Sequence, residues 1–138
     1  MKQRRSYSRL FYHIAFSTKN REHLIADRRD GQIIFGFLKT KAHDLDAFIE
    51  EFGCWHDHIH LLVRTSPTVA PATLYGQLKG FSTRAWNKRN TERVFGWQNG
   101  VYIATVDPDH DEQLRSYIRE QWKHHDQRTT LANWEPME

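Results

Sequence analysis

Two short stretches of the chain concentrate side chains able to do chemistry, and the first is His56-Asp57-His58-Ile59-His60-Leu61-Leu62-Val63-Arg64. Side chains alternate along an extended strand, so His58 and His60 project from one face while Ile59, Leu61 and Val63 project from the other. Their Cα atoms then stand roughly 6.5–7 Å apart, and both imidazoles can lean onto one ion. Standing alone, such a pair is more often a half-exposed strand feature than a site. His56 shares the face by alternation and is a candidate third ligand. Three imidazoles with one open position would suit a zinc hydrolase. A turn near Gly53-Cys54 would instead take His56 out of line.

The second stretch is Leu114-Arg115-Ser116-Tyr117-Ile118-Arg119-Glu120-Gln121-Trp122-Lys123-His124-His125. At helical spacing Leu114, Tyr117, Ile118, Gln121 and His125 share one inward stripe. Buried Tyr and Gln side chains need partners for their polar atoms. A metal site opposite would supply them. Without one, Tyr117 is an amphipathic core residue and Gln121 its hydrogen-bonding neighbour.

The elements that must position these residues follow from pattern. Arg9 to Thr18 alternates and is aromatic and β-branched, which predicts a strand ending in the charged loop Lys19-Asn20-Arg21-Glu22. Asp27 or Asp30 caps a helix through Ile34, Leu38 and Leu45, followed by strands over Asp46 to Gly53 and His58 to Arg64. Leu74, Leu78, Phe81 and Ala85 stripe a second helix, Val101 to Val106 is a strand, and a single last helix runs from about Asp111 to Asp126. The order β-α-β-β-α-β-α is the split βαβ plan. The expected fold is α+β: a ferredoxin-like (RRM-like) antiparallel sheet with helices on it and an added C-terminal helix carrying the tyrosine.

His58-Ile59-His60 followed far downstream by Tyr117-x-x-x-Gln121 resembles the single-tyrosine class of HUH endonucleases, the REP-associated tyrosine transposases and the insertion-sequence 200/605 group. Phe16-Ser17-Thr18-Lys19-Asn20-Arg21, Leu78-Lys79-Gly80-Phe81-Ser82, Phe95-Gly96-Trp97-Gln98-Asn99-Gly100 and Tyr117-Ile118-Arg119-Glu120-Gln121 with His124-His125 are similar to successive segments of that family. The likeness runs from about Tyr12 to His125. It implies a single-stranded DNA endonuclease and strand transferase for transposition. Tyr117 would be the nucleophile, leaving a 5′-phosphotyrosine, and His58, His60 and Gln121 would hold Mg²⁺ or Mn²⁺. Glu120 stands where the family commonly has Asn, and Glu120 and His56 compete with Gln121 as third ligand. A homodimer with shared active sites, acting on hairpin-bearing repeat ends, is also implied.

Bulk composition is compatible with this and narrows the rest. The 138 residues suit one domain, with about residues 1–8 as a basic arm and about 127–138 as a tail. Twenty Lys and Arg against 17 Asp and Glu leave a net charge of only +3, a weak tilt toward a polyanion. Lys19, Arg21, Lys79, Arg84, Lys88 and Arg89 are candidate phosphate contacts, as are Arg4 and Arg5 in the arm. Tyr12, Trp86 and Trp97 are candidate platforms for stacked bases. A lone cysteine, Cys54, precludes an internal disulfide, and no apolar run approaches the ~20 residues of a membrane span, so a cytoplasmic setting is expected. The main alternative is a non-catalytic single-stranded nucleic-acid-binding module on the same sheet, although His58 and His60 occupy positions where stacking aromatics would be expected.

Overall fold

The computed structural model describes residues 7–89, 94–109 and 112–127. Arg4, Arg5, the side chain of His124 and the tail beyond Gln127 lie outside the described residues. Strand β1 (Leu10–Ser17) leads through a 3-10 turn (Lys19–Arg21) to helix α1 (Arg28–Asp44). Strands β2 (Phe48–Trp55) and β3 (His58–Thr65) form a hairpin, followed by α2 (Pro71–Arg89), β4 (Tyr102–Val106), α3 (Glu112–Arg119) and α4 (Gln121–Gln127). The four strands lie in the order β2-β3-β1-β4, with each neighbouring pair antiparallel. This is the α+β sheet expected from the sequence pattern.

The period-two pattern of β3 divides the molecule. Ile59, Leu61 and Val63 point to one face, where they meet Ile14 and Phe16 of β1, Ile34, Leu38 and Ala42 of α1, and Leu74 and Leu78 of α2. Each such aliphatic side chain contributes roughly 1.5–3 kcal/mol by leaving water. His58, His60 and Leu62 point to the other face, where Phe11 and Leu62 pack on Leu114 and Ile118 of α3. The main core therefore anchors the strand, and the smaller core docks the tyrosine helix over its histidines.

Asp27 caps α1, its carboxylate accepting from the Asp30 amide at 2.9 Å. The chain reverses after α1 through Asp46, held at a left-handed φ of 56°. That reversal starts β2 at Phe48, two residues after the expected Asp46, and carries the strand through Trp55. His56 and Asp57 become the hairpin turn. The buried stripe of α2 is Leu74, Leu78, Ser82 and Trp86, displaced from the Phe81–Ala85 stripe expected. Trp97 anchors this orientation, its Nε1 donating to Ser82 Oγ at 2.9 Å. Among the described residues no helix is long and apolar enough to cross a membrane.

The last helix is not continuous. It breaks at Glu120 into α3 and α4, where the helix backbone comes down on the sheet. A Cβ on Gly53 would run into the carbonyl oxygen of Ile118 and stand 2.9 Å from Gln121 Cγ. Only a residue without a side chain admits this approach. Gly53→Ala is expected to destabilise the fold by about 1–3 kcal/mol through overpacking, read as a lowered urea midpoint. Ala at Gly36, where a Cβ would meet nothing within 4 Å, is the control.

Candidate active site

The hairpin register aligns β2 with β3, Gly53 opposite His60 and Trp55 opposite His58. Paired residues of antiparallel strands share a face. Gly53 leaves room for the α3–α4 joint, and Trp55 supplies a wall beside His58. The joint brings Tyr117 and Gln121 onto the histidines. His58, His60, Tyr117 and Gln121 are all buried, and the Tyr117 and His60 rings meet edge to face at 6.0 Å between centroids. Gln121 is fixed by its Nε2 donating to the Tyr117 carbonyl at 2.8 Å. Its Oε1 lies 3.2 Å from His125 Nε2, and that same nitrogen lies 3.2 Å from His58 Nε2.

Two residues that sequence reasoning passed over orient the histidines. His58 Nδ1 donates to Asp57 Oδ1 at 2.8 Å, which leaves the lone pair on Nε2, facing the helix. His60 Nδ1 meets His13 Nε2 at 3.0 Å, and the His13 ring in turn rests against Tyr102. When His60 donates in that pair, its Nε2 likewise keeps its lone pair. Burial pushes the Asp57 carboxyl upward, but the hydrogen bond from His58 and the charges of His58, Arg21 and His23 outweigh it and hold it below its ordinary value. A signal for Asp57 was present in its place next to His58. For His13 the signal was a polar residue inside an otherwise apolar strand.

Arg21, a candidate phosphate contact in the sequence, is engaged within the protein. Its Nε lies 3.3 Å from Asp57 Oδ2, and its guanidinium donates to Ser17 Oγ at 2.7 Å. Asn20 and Arg21 both hold left-handed φ values, 57° and 55°, a conformation that non-glycine residues adopt at a cost. That strained turn aims Arg21 at the carboxylate that orients His58. Lys79 is also committed, its ammonium donating to the carbonyls of Gln98 (2.6 Å) and Gly100 (2.8 Å). Lys19, Arg84, Lys88 and Arg89 are exposed. Trp86 and Trp97 are core residues packed on Phe95, which leaves them no free face for a base.

The competing third ligands are placed elsewhere. His56 Nδ1 donates to the Ile25 carbonyl at 2.8 Å and its ring stacks on His23, so it ties the loop before α1 to the hairpin. Glu120 is exposed and receives a 3.3 Å contact from Ser116 Oγ. Among the described residues, no group of three or more His, Cys, Asp or Glu is arranged to hold a metal. The three-histidine zinc arrangement is therefore not formed by His56, His58 and His60.

The antiparallel sheet with its helices is matched by solved structures of transposases. The fold matches the crystal structure of a candidate transposase from Deinococcus radiodurans R1, with a TM-score of 0.69 and 20% identity over 96% of this chain and 99% of the other. It also matches a REP-associated tyrosine transposase bound to a REP hairpin, with a TM-score of 0.62 and 12% identity over 98% of this chain and 76% of the other. The transposases of insertion sequence IS200 from Salmonella typhimurium and Salmonella typhi are 28% identical over 117 residues, 80% of this chain and 75% of each relative. The model of the IS200-like transposase family matches residues 6–121, and the chain belongs to that family. It is an enzyme of DNA transposition.

The Asp57 contact is testable without substrate. In the intact protein His58 is expected as the Nδ1–H tautomer, read from its side-chain ¹⁵N shifts. In Asp57→Leu the Nε2–H form should gain population, whereas the His60 signals stay in place.

Proposed function

We propose that the chain is a metal-dependent, single-tyrosine nuclease and strand transferase acting on single-stranded DNA. The observation that carries this reading is the α3–α4 joint, which lays Tyr117 and Gln121 on the face of β3 that bears His58 and His60. A purely structural helix has no need of four buried polar-tipped residues converging there. The amide oxygen suits Mn²⁺ or Mg²⁺, and the imidazole nitrogens tilt the donor set toward the transition ion. His58, His60 and Gln121 would hold the ion, which when bound draws charge from the phosphoryl oxygens.

The residues of the chain supply the rest. The Tyr117 oxygen attacks the scissile phosphorus, the bond from phosphorus to O3′ breaks, and the strand's 5′-phosphate is left on the tyrosine. Tyr117 gives up one proton and O3′ takes one up, so the step is balanced and its reversal rejoins DNA. Asp57 holds the His58 imidazole as its Nδ1–H tautomer, and His13 does the same for His60 when His60 donates between them. The family resemblance adds a homodimer and hairpin-bearing repeat ends as substrate, and the REP-hairpin complex of the structural relative supports a DNA hairpin as partner.

The test is a labelled single-stranded hairpin incubated with the full chain and Mn²⁺. A covalent adduct that resists denaturation is expected. Tyr117→Phe and EDTA should each reduce it to background, and His60→Ala should lower it by more than about 100-fold. An adduct that persists in Tyr117→Phe places the nucleophile elsewhere. The alternative of a non-catalytic binding module is favoured if hairpin affinity is unchanged by EDTA and by His58→Ala and no adduct ever forms.

A further inference from the structure

We infer that His125 is an additional ligand of the divalent cation, joining His58 and Gln121 from the first turn and a half of α4 as the ion draws the donor atoms together, since among the described residues no three histidines already stand so arranged. The inference rests on the metal-centre reading of the site. His125 Nε2 stands 3.2 Å from His58 Nε2 and 3.2 Å from Gln121 Oε1. Atoms bound to one cation at about 2.1 Å are about 3.0 Å apart at a right angle and about 3.4 Å apart at a tetrahedral angle. The observed spacings fall between these limits. His125 is therefore placed as a co-ligand would be, on the residue four positions beyond Gln121, where helical side chains are neighbours.

The ring is held in that place. It stacks on Trp55 at 4.9 Å with an interplanar angle of 13°, and meets the His58 ring at 4.7 Å and 63°. Trp55 is the strand partner of His58, so one pair of β-residues positions both imidazoles. With His58 neutral and donating from Nδ1 to Asp57, its Nε2 accepts. In that state the proton between the rings sits on His125 Nε2, which donates to His58 or to Gln121. Moving that proton to His125 Nδ1 frees a second lone pair for the cation with no change in net charge. An added imidazole also shifts the donor set toward Mn²⁺ over Mg²⁺, because nitrogen ligands favour the transition ion. The competing structural role is packing alone, in which His125 only covers Trp55.

Mn²⁺ binding to the full chain separates these roles, measured by calorimetry and by the nitrogen couplings in pulsed electron paramagnetic resonance. The variants are His125→Ala, His125→Phe, which keeps a ring on Trp55, and His58→Ala. Melting without metal checks that each variant folds. Both His125 variants are expected to weaken Mn²⁺ binding about tenfold or more, to weaken Mg²⁺ binding less, and to lose one imidazole coupling. His125→Phe binding Mn²⁺ within twofold of the unaltered chain, with the same couplings, overturns the inference and leaves the metal centre standing. If the unaltered chain binds no Mn²⁺, or His58→Ala binds it equally well, the metal centre itself is wrong and His125 falls with it.

Discussion

The approach of the Ile118 carbonyl to Gly53 sets the distance between the last helices and the sheet, and the site depends on that distance. A helix packing on a sheet through side chains stands about 10 Å away, which is typical of packed layers. A closer approach seats the Tyr117 and Gln121 side chains directly against the histidine face of the sheet. Bringing backbone to backbone at one point removes the gap. The cost is an interrupted helix at Glu120, whose two halves are joined by the Gln121 hydrogen bond to the Tyr117 carbonyl. The two faces of β3 then differ in content, with aliphatic packing on one and the buried polar cluster on the other.

A polar interior of this kind is stable only when each group has its partner. A buried donor or acceptor left unmatched costs about 1–3 kcal/mol, more than most single contacts contribute. Here the partners form a chain from the strained turn at Asn20 and Arg21, through Asp57, to His58 and His125. A second chain runs through His13 to His60. Both approach the cluster from the rear, so each fixes a ring through its Nδ1 and leaves Nε2 toward the helix. Ring orientation is thereby set by the fold itself.

The order of elements along the chain and the faces of β3 were legible in the sequence because they rest on local periodicity. His58-Ile59-His60 flanked by Leu61 and Val63 can be oriented in only one way if the apolar set is to be buried. The relation of Tyr117 to Gln121 was likewise legible from spacing. What escaped were features made by contact across the chain. The break at Glu120 depends on a glycine 67 positions earlier in β2, and nothing within α3 signals it. His56 shares the face of His58 and His60 by alternation, and the sequence left open whether a turn would remove it; the turn falls at His56-Asp57 itself, after β2 runs on to Trp55. Arg21 and Lys79 looked like surface cations because charge in a sequence carries no record of a carboxylate or carbonyl folded against it.

The docked helices are also held by charge. Arg115 reaches Glu51 at 3.0 Å and Glu50 at 3.2 Å, and Arg119 reaches Glu51 at 2.9 Å and Glu112 at 3.0 Å. Half-exposed ion pairs of this kind add little net stability, because solvent screens them and ordering long side chains costs entropy. Their value is directional. Leu114 and Ile118 are apolar and would tolerate some sliding on Phe11 and Leu62, whereas two arginines sharing Glu51 fix where along β2 the helix rests. The same pairs weaken with salt, which the apolar contacts do not. Tyr117 is only 2% exposed beneath this dock. A dock built from a small apolar patch and screened charges can yield without disturbing the main core, because the main core lies on the opposite face of the sheet.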